Sequence, residues 1–239
     1  MEFHVQADPK DISRYCLTPG DHVRAKKIAG YFQNPRLVAE SRGYLVYSGD
    51  YEGVFMTVCA TGMGGPAVAI AVEELAHMGA DTFIRVGSCG SLQEGMMPGD
   101  VIISSGVVRY GGTGNAYLPI QYPAAPTFAV TRALVDAAAE LKVPVHVGVT
   151  GAGDAFYAEG GARSEMAKAR VLAIEMESDT LFVVGQVRGW RTGALFAADG
   201  TPGETKPAWG EEKFRQGERN AIEIALGAMH KLALADHEK

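Results

Sequence analysis

The stretch Ile84-Arg85-Val86-Gly87-Ser88-Cys89-Gly90 sets one cation and one hydroxyl among small residues, directly after an apolar run. A glycine-rich loop leaves backbone N–H groups free, and beside an arginine and a serine these meet the needs of a small oxyanion such as phosphate. The same residues also fit a buried arginine in a tight turn. Other polar groups fall where apolar runs end or helices open: Gly20 with Arg24, Phe156 with Tyr157, Met176 with Glu177, and Asp199 before Gly200. In open α/β sheets ligands collect at the carboxyl ends of strands, so such groups can converge. Each also has a plainer reading: Arg24 as a solvated cation, Glu177 as a partner for a helix dipole, and Asp199 as a turn residue.

The elements that must position these groups alternate between strand-like and helix-like. Arg14 to Thr18 reads as a short strand, and Asp21 as the N-cap of a helix running through Lys27 and Ile28. Tyr44 to Tyr47 and Val54 to Cys59 are rich in β-formers, and Ser48-Gly49-Asp50-Tyr51-Glu52-Gly53 suggests a hairpin between them. Thr61-Gly62-Met63-Gly64-Gly65-Pro66 opens a helix with Val68, Val72 and Leu75 on one face, closed by Gly79. Strands follow at Phe83-Ile84, Val101 to Ile103, Val145 to Thr150, Val171 to Ile174 and Leu195 to Ala198. A glycine-rich loop spans Gly111 to Asn115, and helices are expected over Thr127 to Leu141 and around Leu181 and Val184. The last helix carries Ile222, Ala225, Leu226, Met229 and Ala233 at core spacing, and His237-Glu238-Lys239 is expected to fray. This is an α/β pattern: a single domain over residues 1–239, with a central mixed, partly closed β-sheet flanked by helices.

The chain has 239 residues, 47% of them hydrophobic, enough for one sizeable core. Its net charge of -6 argues against a basic nucleic-acid surface or a polybasic membrane patch, so a bound anion must be caught by local arginines. The N-terminus lacks a charged segment followed by an apolar run, and no stretch approaches the roughly 18 apolar residues of a membrane span, so a cytoplasmic protein is expected. Cys16, Cys59 and Cys89 are scattered, without a Cys-x-x-Cys, and suggest reduced residues rather than a disulfide framework or a metal site.

Taken together, Pro19-Gly20-Asp21-x-x-Arg24, Thr61 to Pro66, Glu73-Glu74-Leu75 with Gly79-Ala80, Ile84 to Gly90, Gly99-Asp100 and Glu175-Met176-Glu177-Ser178 resemble the nucleoside phosphorylase-I family. The likeness is to its hexameric branch of uridine and purine nucleoside phosphorylases, and it covers nearly the whole chain in the same order. It implies a phosphate site at Gly20, Arg24, Arg85 and Ser88, completed by Arg42 from a neighbouring subunit. It implies that His4 reaches across the same interface toward the ribose 5′-hydroxyl, that Met176 and Glu177 hold the ribose, and that Phe156 lies beside the base. The expected partners are a small nucleoside and inorganic phosphate as co-substrate, with no other cofactor. The expected assembly is a homo-oligomer with a dimer as minimal active unit, in a trimer of dimers.

The resemblance is divided over the base. Uridine phosphorylases carry a glutamine and an arginine shortly after the residue matching Phe156; here the segment is Ala158-Glu159-Gly160-Gly161-Ala162-Arg163, in which only Arg163 can stand in. Asp199-Gly200 instead resembles the aspartate by which purine phosphorylases address N7 of the leaving base, where a carboxylic acid can supply a proton. Purine nucleosides are therefore the expected substrates, with uridine the alternative, and with a hydrolytic nucleosidase or a non-catalytic nucleoside-binding protein as further readings. Arg24, Arg42 and Arg85 argue against hydrolysis, because nucleosidases typically lack this set. Gly43 and Ala67 replace the glutamate and serine that hold potassium in some uridine phosphorylases, so no such ion site is expected.

Overall fold

A computed structural model of the chain describes residues 2–157, 162–202 and 209–238. Its strands are β1 (Tyr15–Leu17), β2 (Gln33–Ser41), β3 (Tyr44–Tyr51), β4 (Val54–Ala60), β5 (Thr82–Ser91), β6 (Val101–Tyr110), β7 (Val145–Gly153), β8 (Ala173–Glu175) and β9 (Arg191–Gly200). Its helices are α1 (His22–Ala29), α2 (Gly65–His77), α3 (Phe128–Glu140), α4 (Ala162–Lys168), α5 (Ser178–Arg188) and α6 (Glu212–His237).

All nine strands form one mixed sheet in the order β2-β3-β4-β1-β5-β8-β7-β6-β9, and β9 returns to pair with β5. The strands from β5 to β9 thereby close on themselves, while β1 to β4 extend from β5 as a wing. Alternation along the central strands sends side chains to two cores. Phe83 and Phe196 join Val68, Val72, Leu75, Leu181 and Val184 from α2 and α5. Ile84, Val86 and Leu195 join Ile28, Leu134, Ile222, Leu226 and Met229 from α1, α3 and α6. Each such side chain contributes about 1.5–3 kcal/mol when fully buried, so the sheet is clamped from both faces. Cys16, Cys59 and Cys89 are all buried and unpaired. Among the described residues, no helix is long and apolar enough to cross a membrane.

Three local expectations need correction. Ser48 to Tyr51 continue β3, paired with β4 up to Tyr51 and Val54, so the hairpin turn is only Glu52-Gly53. Both residues take positive φ, 48° and 83°, as a tight two-residue turn demands. Arg42-Gly43, with φ of 50° and 88°, makes a second such turn between β3 and β2, a strand not expected at all. Third, Gly87 to Gly90 are not a loop. They lie within β5, with Ser88 opposite Ala197 and Cys89 opposite Ala198. Gly87 is small because a Cβ there would stand 2.7 Å from Cδ1 of the Phe196 ring. Helix α4 was also unforeseen; of the three residues expected to fray, His237 still belongs to α6 and Glu238 is its C-cap, while Lys239 lies outside the described residues.

Candidate active site

One edge of β5 is paired with β9 along its whole length, but the other is shared. β1 covers it from Thr82 to Ile84, and β8 arrives only at Gly90 and Ser91. Between them, residues 85–89 have no strand beside them on that edge among the described residues. Ile84 accepts from Thr18 N–H at 2.9 Å on this side, so by alternation Val86 and Ser88 also turn their N–H and C=O groups toward the opening. The chain beyond β1 follows β4 instead, with Thr61 N–H donating to Pro19 and Gly62 N–H to Gly20. The strands thus splay at their carboxyl ends, and the opening lies between Gly20 and β5.

Arg85 spans this opening and is only 4% exposed. Its Nε donates to Glu175 at 2.8 Å, and its Nη2 donates to Glu177. Its Nη1 is buried and has no partner among the described residues. That nitrogen lies 3.7 Å from where a Cβ on Gly20 would stand, so glycine there keeps the approach to it clear. A buried donor left unsatisfied costs about 1–3 kcal/mol, so this N–H favours an acceptor placed in the opening. The Arg85 guanidinium also sits over the Phe196 ring, 5.8 Å from its centroid.

Glu177 precedes α5 but does not cap it; the dipole role expected for it falls to Glu175, which accepts from the N–H groups of Glu177 at 3.0 Å and Ser178 at 2.9 Å. Its own carboxylate instead accepts from Gly64 N–H at the head of α2 and from Arg85. Burial raises its pKa to about 7, opposed by the Arg85 charge and reinforced by the Glu175 charge. Met176, half-buried, lies between the two carboxylates in sequence.

Arg24 is not a solvated cation. It is 7% exposed, with Nε donating to Glu218 of α6 at 2.8 Å and Nη1 to the Val86 carbonyl at 3.3 Å. Asp21 caps α1 as expected, accepting from Arg24 N–H at 3.0 Å. Asp199 lies inside the end of β9 rather than in a turn, and accepts from the Trp209 indole N–H at 3.0 Å. Burial raises its pKa, while donors on Trp209 and Ser88 pull it back. Gly20, Arg24, Arg85, Ser88, Glu177 and Asp199 are therefore gathered around the splayed ends of β1, β5 and β9.

The remaining candidates stand apart within one chain. His4 is held by Glu74 of α2, its Nδ1 2.6 Å from the carboxylate, which also accepts from the N–H groups of His4 and Val5. Arg42 is exposed at the Arg42-Gly43 hairpin tip, where a His22 ring nitrogen meets the Gly43 carbonyl at 2.6 Å. Phe156 is exposed and packs edge-on against Tyr157, and Arg163 donates to the Phe156 carbonyl at 3.2 Å. Residues 158–161 lie outside the described residues.

Three residues were given no role from the sequence: Glu175, quoted only as part of a motif, Glu218 and Asp179. Asp179 accepts from Gly111 N–H at 3.1 Å and Thr180 N–H at 2.6 Å, and burial lifts its pKa to about 6. It pins the glycine loop beside the head of α2. The only hint available was the density of acids in Glu175-Met176-Glu177-Ser178-Asp179.

Comparison with known proteins shows the family and the fold. Residues 14–231 match the family model described as the phosphorylase superfamily. A uridine phosphorylase of Thermococcus kodakarensis is 40% identical over 256 residues, covering 100% of this chain and 89% of the relative. A guanosine phosphorylase of Halorubrum lacusprofundi is 36% identical over 233 residues, covering 95% and 97%. The crystal structure of a uridine phosphorylase from Vibrio fischeri superimposes with a TM-score of 0.89 at 32% identity, over 94% of each chain. The chain belongs to the phosphorylase superfamily, within its nucleoside phosphorylase-I family.

Proposed function

We propose that this protein catalyses phosphorolysis of nucleosides, nucleoside and phosphate giving free base and (deoxy)ribose 1-phosphate, with uridine as the preferred nucleoside. The observation that carries the reading is the unpartnered Arg85 Nη1 facing Gly20 while the same guanidinium holds Glu177. One residue then touches both the nucleophile and the carboxylate that orients the sugar. Breaking the N-glycosidic bond builds positive charge at C1′, which a phosphate held beneath it both stabilises and attacks. Glu177 accepts from the ribose hydroxyls, Met176 packs on the sugar ring, Phe156 lies against the base, and Arg163 holds Phe156 in place. Inorganic phosphate is the only co-substrate, and no metal or further cofactor takes part.

The purine reading gives way here to its alternative. The relative at 40% identity is a uridine phosphorylase, and the indole N–H that Trp209 donates to Asp199 favours the ionised carboxylate over the acid that would protonate N7. A purine remains the second reading because Asp199 is buried enough to raise its pKa and one relative is a guanosine phosphorylase. Cleavage of uridine, inosine, guanosine and adenosine with and without phosphate decides among these. Uridine should be cleaved fastest and only with phosphate; cleavage without phosphate would make the protein a nucleosidase. Asp199→Asn should leave uridine cleavage largely intact, whereas a purine enzyme would lose roughly 10²- to 10⁴-fold on inosine.

The site is completed by a second copy. Buried Arg24 and Arg85 already face Glu175, Glu177 and Glu218, so a phosphate dianion needs a further cation, and Arg42 on its exposed hairpin tip is offered to a neighbour. His4 joins it at the same interface, in a dimer repeated as a trimer of dimers. Mixing inactive Arg42→Ala with inactive Glu177→Ala subunits should restore activity in the mixed dimers. No recovery after verified exchange would rule out sharing.

A further inference from the structure

We infer that Glu218 is a positioning residue for the anion site, fixing the Arg24 guanidinium so that its remaining N–H groups are aimed at phosphate. The inference rests on the phosphorolysis reading for the identity of the anion, but its own basis is geometric. Arg24 is tied at Nε by Glu218 at 2.8 Å and at Nη1 by the Val86 carbonyl at 3.3 Å, and Val86 lies on the open edge of β5. These two bonds fix the plane of the guanidinium and leave Nη2, which has no partner among the described residues, for a ligand.

Glu218 is itself located by close packing. It is 5% exposed and follows Gly217, whose Cβ, if present, would stand 2.1 Å from the Gly99 carbonyl oxygen. A Cβ on Gly99 would in turn meet the Lys213 carbonyl oxygen at 2.2 Å. The two glycines therefore let the first turns of α6 sink against the turn before β6, and this depth brings Glu218 under Arg24. The Gly99-Asp100 motif thus acquires a use in site geometry.

The second carboxylate oxygen of Glu218 accepts from Lys27, one turn along α1 from Arg24. Burial opposes ionisation of Glu218, but Lys27 and Arg24 outweigh it and hold its carboxyl below the usual range. Lys27 also offsets the Glu218 charge as felt at the opening, so the role of Glu218 is orientation rather than a repulsive field. A carboxylate can accept from both cations at once, whereas an amide has one accepting oxygen and must turn its NH₂ toward one of them.

This donor conflict gives the test. Phosphate binding by calorimetry and phosphate KM with uridine are measured for wild type, Glu218→Gln, and Glu218→Gln combined with Lys27→Met. Glu218→Gln should weaken phosphate about tenfold in both measurements, with uridine KM changed less than about threefold. Removing Lys27 as well frees the amide oxygen for Arg24 Nε and should bring phosphate binding back to within about threefold of wild type. A pure charge effect predicts the opposite, since losing Lys27 lowers the local positive charge. Glu223→Gln, on the same helix and bonded to Tyr31, controls for helix stability and should change neither constant. Equal phosphate binding by wild type and Glu218→Gln overturns the inference, as does a double variant weaker than the single one. Phosphate that fails to bind wild type overturns it together with the anion site. Phosphate binding that follows the expected pattern without nucleoside cleavage sinks only the phosphorolysis reading.

Discussion

Where β1 and β5 splay, the site is firmly held: Arg85 is 4% exposed, Glu177 3%, and each is bonded to partners on other elements. Beyond β7, where the base is proposed to lie, Phe156 is 61% exposed and Tyr157 92%, and among the described residues Phe156 meets only Tyr157 and Arg163. The difference follows from what each end has to hold. A phosphate and a ribose are the same in every substrate and reward fixed donors, which add most when no reorganisation is needed. A base varies, and aromatic surface can accept different rings at small conformational cost.

The most severe way to break this contrast is Arg85→Ala. It leaves Glu175 and Glu177 buried without their cation, which should cost about 3–5 kcal/mol of stability and lower the melting temperature visibly. Arg85→Lys keeps the charge but not the fork, and should leave a folded protein whose phosphate KM rises roughly 10- to 150-fold. An unchanged phosphate KM in folded Arg85→Lys would remove Arg85 from the anion site.

A smaller effect sharpens the tied-down half through pH. Glu177 has a pKa of about 7 in the fold against an ordinary 4.5, so folding favours its protonated form. That contribution is complete below about pH 4.5 and is lost as pH rises through 7. Asp179, at about 6, acts in the same direction. Thermal melts should therefore show stability falling by about 2–4 kcal/mol between pH 5 and 7.5, and Glu177→Gln should flatten much of that slope. A variant with the wild-type slope would mean that Glu177 stays ionised throughout.

The smallest effect belongs to the open half. Phe156→Ala should raise nucleoside KM by about 3- to 10-fold, the size of one aromatic contact, while phosphate KM stays constant. Its stability should stay within about 0.5 kcal/mol of wild type, because so exposed a ring removes little from the core. A large loss of stability would show that the base end is as firmly built as the anion end.

How far all this could be read beforehand depended on whether a signal was local. Helices α1, α2, α3 and α6 declared themselves by apolar spacing and, for α1, by the Asp21 cap, because those features act within a few residues. β2 did not: Gln33 to Leu37 are exposed, Pro35 interrupts them, and the strand exists because β3 pairs with it through two register shifts. Gly87 to Gly90 looked like a loop because glycine has one letter for two causes, free rotation and lack of room. Only the position of Phe196, more than a hundred residues away in sequence, separates them. The same distance hid Glu218, which meets Arg24 across 194 residues. Arg85, Glu177 and Asp199 could be singled out by residue type beside apolar runs, but not their bonding, since ion-pair partners are chosen by the fold.

The unpaired stretch of β5 has one more consequence, for observing the protein at work. Amide hydrogens within a fully paired central strand exchange with solvent only on global unfolding. The N–H groups of Val86 and Ser88 face the opening rather than a described strand, so they lack the ladder bond of their neighbours and form a window of lower protection in the segment. An oxyanion seated there would close that window while leaving Phe83 and Ile84, already flanked by β1 and β9, unchanged. Deuterium uptake across residues 85–89 therefore serves as an occupancy gauge that needs no label, no chromogenic substrate and no turnover.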